Sequence, residues 1–226
     1  MYILHIETST KICSVAISEN DRLIEVIDLP EGMNHTALLA PSIDRILRSC
    51  QLIPKDLGAI AVSSGPGSYT GLRVGSSTAK AMAYSLRIQI VPVPTLEALA
   101  SAAFEKHPDA SAALPMLDAR RNEVFLALYN KDLTELMPAS SFILEDQPVR
   151  DLISGYDKVI ACGDGALKLK PHLDAYLNID LSIQASASHL VKPAYTRYLA
   201  AKLGDPMHFV PFYLKPPNIT TPGKLA

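Results

Sequence analysis

The same order of features occurs twice along this chain, and that repetition limits the folds open to it. Tyr2–Ile6 reads as a short strand, Glu7-Thr8-Ser9-Thr10-Lys11 as a polar turn and Cys13–Ser18 as a second strand. Glu19-Asn20-Asp21 is a turn, and Arg22–Asp28 a third strand. A shift of 111 residues lays a second block over this one: Asp118 falls on Glu7, Ala127 on Ala16, Leu128 on Ile17 and Asp132 on Asp21. That block has strands at Ala112–Leu117, Glu123–Tyr129 and Leu133–Met137, with the acidic turn Asp118-Ala119-Arg120-Arg121-Asn122 after the first. Further on, Val159-Ile160-Ala161-Cys162 and Gly163-Asp164-Gly165 echo the strand Ala59–Ser63 and the glycine loop that starts at Gly65. The order predicts an α/β chain made of two copies of one unit with a cleft between them. The expected division is residues 1–106 and 107–215, followed by a polar, proline-rich, flexible tail at 216–226.

Helices are expected between the strands. Asn34 is placed to cap one that runs to about Cys50, with Leu38, Leu39, Ile43, Ile46 and Leu47 on its apolar face. Pro41 inside that pattern predicts a kink or a shifted start. A second helix follows the glycine loop to about Leu86, and a third covers Leu96–Lys106 with Thr95 as its cap. A strand at Gln89–Val93 separates them, and a last helix is expected over His189–Leu203.

The segment Gly65-Pro66-Gly67-Ser68-Tyr69-Thr70-Gly71-Leu72-Arg73-Val74-Gly75 joins an apolar strand to a helix. That arrangement suits an anion, because helix-terminal N–H groups point outward there. Its spacing matches neither common phosphate loop. No Lys follows a glycine as a Walker loop requires, and the third glycine of a dinucleotide loop would fall at residue 70 rather than Gly71. Gly71, Gly75, Ala79 and Ala83 lie four apart, so on a helix they form one ridge with almost no side chain. Such a ridge admits close approach, either by the chain's own sheet or by a second protein.

Catalytic chemistry is thinly represented. Glu7, Thr8 and Ser9 form an acidic, hydroxyl-rich turn of the kind that holds phosphate and a hard cation; capping the turn with Glu7 in solvent is the competing reading. In the matching turn a glycine would be needed two residues after Asp118, and Arg120 stands there instead, blocking close approach of a phosphate. Four residues after His35 stands Leu39, so no helical histidine pair exists for a metal, and no Gly-x-Ser-x-Gly marks a nucleophile. Cys13, Cys50 and Cys162 are odd in number and far apart, which fits a reducing compartment. Glu7 interrupts the first apolar run, no signal peptide or membrane span is expected, and the predicted location is cytoplasmic. The net charge of −2 lacks the broad basic footprint of a protein that holds nucleic acid by itself.

The stretches Ile3–Ile17, His35–Leu47, Gly65–Gly75, Leu117–Tyr129, Gly163–Gly165 and Pro211–Lys215 come in order over nearly the whole chain. With them the sequence resembles the TsaB (YeaZ) family of tRNA threonylcarbamoyladenosine biosynthesis proteins. The resemblance implies a duplicated ribonuclease-H-like fold of the actin-like ATPase (ASKHA) type in two subdomains. It also implies a non-catalytic subunit that helps modify tRNA next to the anticodon. Its partners would be the catalytic subunit TsaD, which carries the metal histidines, and the ATPase TsaE. Homodimerisation is expected in their absence, contact with tRNA through the complex, and no cofactor of its own. The resemblance implies a partner surface on the two helices of the first half. The sequence places Leu38, Leu39, Ile43, Ile46, Gly71, Arg73, Gly75, Ala79 and Ala83 there, and leaves Glu7, Thr8 and Ser9 as a degenerate phosphate turn. An active ATPase or sugar kinase of the same fold, or a glycoprotease-like metallopeptidase, are the alternatives, disfavoured by Arg120 and by the missing histidine pair.

Overall fold

A computed structural model describes residues 1–29, 34–144, 149–172 and 177–215; the expected tail at 216–226 lies outside the described residues. Alternating apolar residues drive the first sheet. It consists of β1 (Tyr2–Glu7), β2 (Cys13–Glu19), β3 (Arg22–Leu29), β4 (Leu57–Ser63) and β5 (Gln89–Val93), in the order β3-β2-β1-β4-β5. β1 pairs antiparallel with β2 and parallel with β4. Successive side chains in a strand point to opposite faces. Leu4 and Ile6 therefore join one core with Leu39, Ile43 and Ile46, while Ile3 joins another with Ala59, Ala61, Val91 and Leu190.

The second sheet repeats the connectivity. β6 (Ala112–Asp118), β7 (Glu123–Tyr129), β8 (Glu135–Ile143), β9 (Val159–Cys162) and β10 (Leu177–Asp180) lie in the order β8-β7-β6-β9-β10. β6 is again antiparallel to the next strand and parallel to the fourth. A short helix, α4 (Val149–Ile153), and β10 were not anticipated from the sequence. Both are too short to show a period above the noise of neighbouring residues.

α1 (His35–Ser49) starts at the expected cap, where the Asn34 side chain accepts a hydrogen bond from the Ala37 N–H. Pro41 does not shift that start; it sits within the helix on an exposed position. α2 (Tyr69–Leu86) is capped by Ser68, whose hydroxyl accepts from the Gly71 N–H. α3 (Thr95–Lys106) departs from expectation at its first turn. Pro94 is the flanking residue, and the Thr95 hydroxyl caps nothing and is left buried without a hydrogen-bond partner. The Thr95 N–H instead donates to the Gly65 carbonyl at 3.0 Å, tying α3 to the glycine loop. β8 starts two residues later than expected because Leu133 takes a left-handed backbone and closes the preceding turn on Asn130. α5 (Val191–Leu199) is preceded by a 3₁₀ turn at Ala187–Leu190 and ends before Leu203, where Ala201 adopts φ 54° and Lys202 N–H closes on Arg197 O.

Two helices bind the units together. α3 packs Leu96, Leu99 and Ala103 with Ala113, Leu117 and Ala127 of the second sheet, while its Ala98 reaches Ile3 and Ala59 of the first. α5, late in the chain, returns to cover the first sheet through Ala194. Arg197 on α5 grips Glu97 on α3 in a two-point ion pair, Nε to Oε1 at 3.0 Å and Nη2 to Oε2. Both side chains are largely buried, at 22% and 14% exposure, so the pair is shielded from water. Arg197→Ala leaves the Glu97 carboxylate without its partner in that shielded setting. The expected result is a loss of about 2 kcal/mol of unfolding free energy, read as a lower urea midpoint with an unchanged slope.

Candidate functional site

The turn after β1 is where a fold of this class holds phosphate, and in this chain it is internal. Glu7, Thr8 and Ser9 are 1%, 0% and 2% exposed. The Ser9 N–H donates to Glu7 Oε1 at 2.6 Å, and the Thr8 hydroxyl donates to the Gly71 carbonyl at 2.9 Å. Ser9 O accepts from the Ser68 N–H at 2.6 Å. Ser9 Oγ is left buried without a hydrogen-bond partner. Glu7 therefore neither faces solvent nor presents its carboxylate to a ligand. Burial pushes its carboxyl up, against hydrogen bonds from Ser9 and Ser63 that favour the charged form.

The glycines explain how the turn is covered. A Cβ on Gly71 would strike the Thr8 carbonyl oxygen, one on Gly75 the Thr8 hydroxyl, and one on Gly67 the Ser9 carbonyl oxygen. The glycine loop and the first two turns of α2 thus lie directly on the turn, in the space a nucleotide phosphate would need. The residues present do not fit a nucleotide held in this turn.

The same packing corrects the expected partner surface. Gly71, Gly75, Ala79 and Ala83 face the chain's own sheet, and Leu39, Ile43 and Ile46 are buried in the same core. Of the residues expected to meet a partner, Arg73 is exposed and Leu38 half-buried. The 3.6-residue period located the apolar faces correctly but does not say what lies across from them. The outward faces carry other residues: Ala37, Ala40 and Pro41 on α1, and Arg73, Ser77 and Ala81 on α2, all exposed, with Val74 and Met82 half-buried beside them. Sequence reasoning missed all of these but Arg73; the small residues Ala37, Ala40 and Ala81 on the side away from the apolar stripe are the only signal the sequence carries for them.

In the second unit the matching turn stays open. Asp118 Oδ1 accepts from the Arg120 N–H and from Lys168 Nζ, each at 2.6 Å, and the Asp118 N–H donates to Asp164 Oδ1 at 2.8 Å. Burial opposes ionisation of Asp118, but Lys168 and the Arg120 N–H outweigh it and hold the carboxyl below its usual range. Arg120 occupies the position where glycine was expected and takes the glycine-like backbone itself, with φ 72°. Among the described residues no group of three or more His, Cys, Asp or Glu is placed to hold a metal ion. No helix of the described residues is long and apolar enough to cross a membrane.

The family model described as TsaD, tRNA N6-adenosine threonylcarbamoyltransferase, matches residues 30–143. The tRNA threonylcarbamoyladenosine biosynthesis protein TsaB of Bacillus subtilis (strain 168) is 32% identical over 221 residues, 95% of this chain and 94% of that protein. This chain belongs to the TsaB family. The solved structure of YeaZ from Pseudomonas aeruginosa superposes with a TM-score of 0.82 at 22% identity, over 94% of this chain and 99% of that one. At 10% identity and a TM-score of 0.57, component A of the (R)-2-hydroxyglutaryl-CoA dehydratase of Acidaminococcus fermentans shares the fold over 89% of this chain and 99% of that one. The fold is the duplicated actin-like, ribonuclease-H-like one, and in this TsaB-family chain the turn after β1 is a packing surface.

Two outcomes follow from the covered turn. A carboxyl raised by burial stabilises the fold at pH below its unfolded value, near 4.5, and that contribution is lost as pH rises through the folded value. Glu7→Gln is therefore expected to be more stable than the parent by about 1 kcal/mol at neutral pH, with the difference vanishing as the pH falls to about 4; thermal melts across that range read it directly. Gly71→Ala drives a methyl into the Thr8 carbonyl and is expected to cost about 2 kcal/mol, seen as a lower melting temperature.

Proposed function

We propose that this chain is a non-catalytic subunit in the formation of threonylcarbamoyladenosine in tRNA. In this reading it binds and positions a TsaD-type catalytic subunit in the cytoplasm, and a TsaE-type ATPase joins the complex. The observation that carries the reading is the burial of Glu7, Thr8 and Ser9 under Gly67, Gly71 and Gly75. A turn whose oxygens are committed to its own helix supports the positioning of α2 rather than phosphoryl transfer. The family membership supplies the process, through the name of the Bacillus relative.

The partner surface in this proposal is the outward face of α1 and α2, around Ala40, Pro41, Ala81 and the half-buried Val74 and Met82. Exposed side chains there are small, so a partner helix can approach closely, and half-buried apolar atoms beside them gain from being covered. The same face serves for homodimerisation when the catalytic subunit is absent, so the two associations compete.

Ala81→Glu and Ala40→Glu test this surface, since both positions are exposed and a charge there leaves the fold intact. Ala79 is unsuitable, because it is fully buried and a charge there unfolds the chain. Each exposed variant is expected to keep its circular dichroism and to lose at least tenfold in affinity for the TsaD-type subunit, about 1.4 kcal/mol, measured by calorimetry. Unchanged affinity in both variants places the interface elsewhere. The isolated chain is expected to turn over ATP far below about 1 per second; turnover at that level replaces the scaffold reading with an ATPase.

A further inference from the structure

We propose that the turn between β6 and β7 is a docking site for the phosphate backbone of RNA, formed by the exposed Arg120 and Arg121. The identity of the RNA as tRNA rests on the proposed function; the anion site rests on the geometry of the turn.

Backbone conformation is the first observation. Arg120 and Arg121 adopt φ 72° and 47°, two successive non-glycine residues in the left-handed region. Each costs about 1–2 kcal/mol relative to an ordinary conformation. Glycine would hold the same turn without that cost. Both are exposed, and among the described residues neither guanidinium has a carboxylate partner.

Charge is the second. The chain as a whole carries −2, yet cations collect here. The nearby acids are already matched: Asp118 by Lys168 at 2.6 Å, and Glu123 by Lys215. Asp164 is a hydrogen-bond acceptor for the Asp118 N–H, and burial raises its carboxyl. Lys11, exposed in the turn between β1 and β2, lies within electrostatic reach of both Asp118 and Asp164. Arg120 and Arg121 are thus left without a carboxylate partner among the described residues, and Lys11 of the first unit lies near the same two acids. Guanidinium groups bind phosphate oxygens in pairs. Two adjacent exposed guanidinium groups suit a ligand with several phosphates along a chain. A free nucleotide needs an enclosing pocket, and the phosphate turn of the first unit is filled by Gly67, Gly71 and Gly75.

The test uses the full chain, alone and with its TsaD-type subunit, and labelled tRNA transcript as probe. Binding is followed by fluorescence anisotropy between about 50 and 200 mM salt. Arg120→Glu with Arg121→Glu is expected to weaken binding at least tenfold at low salt. Loss of two phosphate contacts flattens the slope of log K against log salt by roughly 1.5. Lys11→Glu is expected to lose part of the same affinity. Arg120→Gly with Arg121→Gly guards against misfolding: glycine relieves the left-handed backbone, so this variant is expected to melt at or above the parent temperature and still lose tRNA affinity. Arg22→Glu with Lys55→Glu, at the opposite end of the first sheet, is expected to bind as the parent does. The proposal is overturned if the two arginine variants bind tRNA like the parent, or if the parent fails to bind in both forms. It is also overturned if the variants lose ATP binding while keeping tRNA. Capture of the TsaD-type subunit is scored in the same samples. A chain that binds tRNA through Arg120 and Arg121 yet captures no such subunit keeps the docking site and refutes the scaffold reading.

Discussion

Everything in the first unit hangs on how closely α2 approaches the end of β1. The Thr8 hydroxyl reaches the Gly71 carbonyl at 2.9 Å, and Gly71 and Gly75 leave no room for a Cβ between helix and strand. Ala79 and Ala83 continue the same bare ridge, so the helix lies flat on the sheet with Ile6, Ile60 and Val62 beneath it. Close packing of this kind is rigid, because methyl-sized changes have nowhere to go. It orients the outer face of α2 beside that of α1. It also removes the β1 turn from any surface a ligand could reach.

The second unit keeps the same strand order but a different turn. Asp118 remains at the surface and is held by Lys168, while its counterpart Glu7 is buried. One strand-turn-strand pattern thus serves in two ways: as internal support in the first unit, and as an exposed charged tip in the second. α3 and α5 make the two copies one body, α3 by packing on both sheets and α5 by returning to the first sheet and gripping Glu97 through Arg197.

Much of this was legible in the residues. The strands of the first sheet, the Asn34 cap, the helix after Gly67 and the repeat at 111 residues all follow from local periodicity and turn chemistry. Those signals are local, and local interactions decide them. The errors have one cause. Thr95 looked like a cap but is already the first helical residue after Pro94, its N–H held by the Gly65 carbonyl, and Leu133 looked like a strand residue but closes a turn on Asn130. In each case a neighbour distant in sequence, or a backbone angle, outweighed the residue's own preference.

The partner surface shows where sequence stops. A ridge of Gly71, Gly75, Ala79 and Ala83 specifies that something approaches closely, and composition alone is indifferent to whether that is another protein or the chain itself. Only the tertiary structure places Thr8 and Ile6 across from it and turns Ala81 and Arg73 outward. Likewise Arg120 in place of glycine was visible as a loss of phosphate approach. Its left-handed backbone, and the pairing of Asp118 with Lys168 that leaves the Arg120 guanidinium without that carboxylate, are visible only in the structure. The sequence by itself determined the two-copy α/β fold and the absence of a helical histidine pair. Which faces are buried, and which charges remain without a partner, depended on contacts between residues far apart in sequence, 63 positions for Thr8 and Gly71 and 50 for Asp118 and Lys168, and those exist only once the sheets have packed.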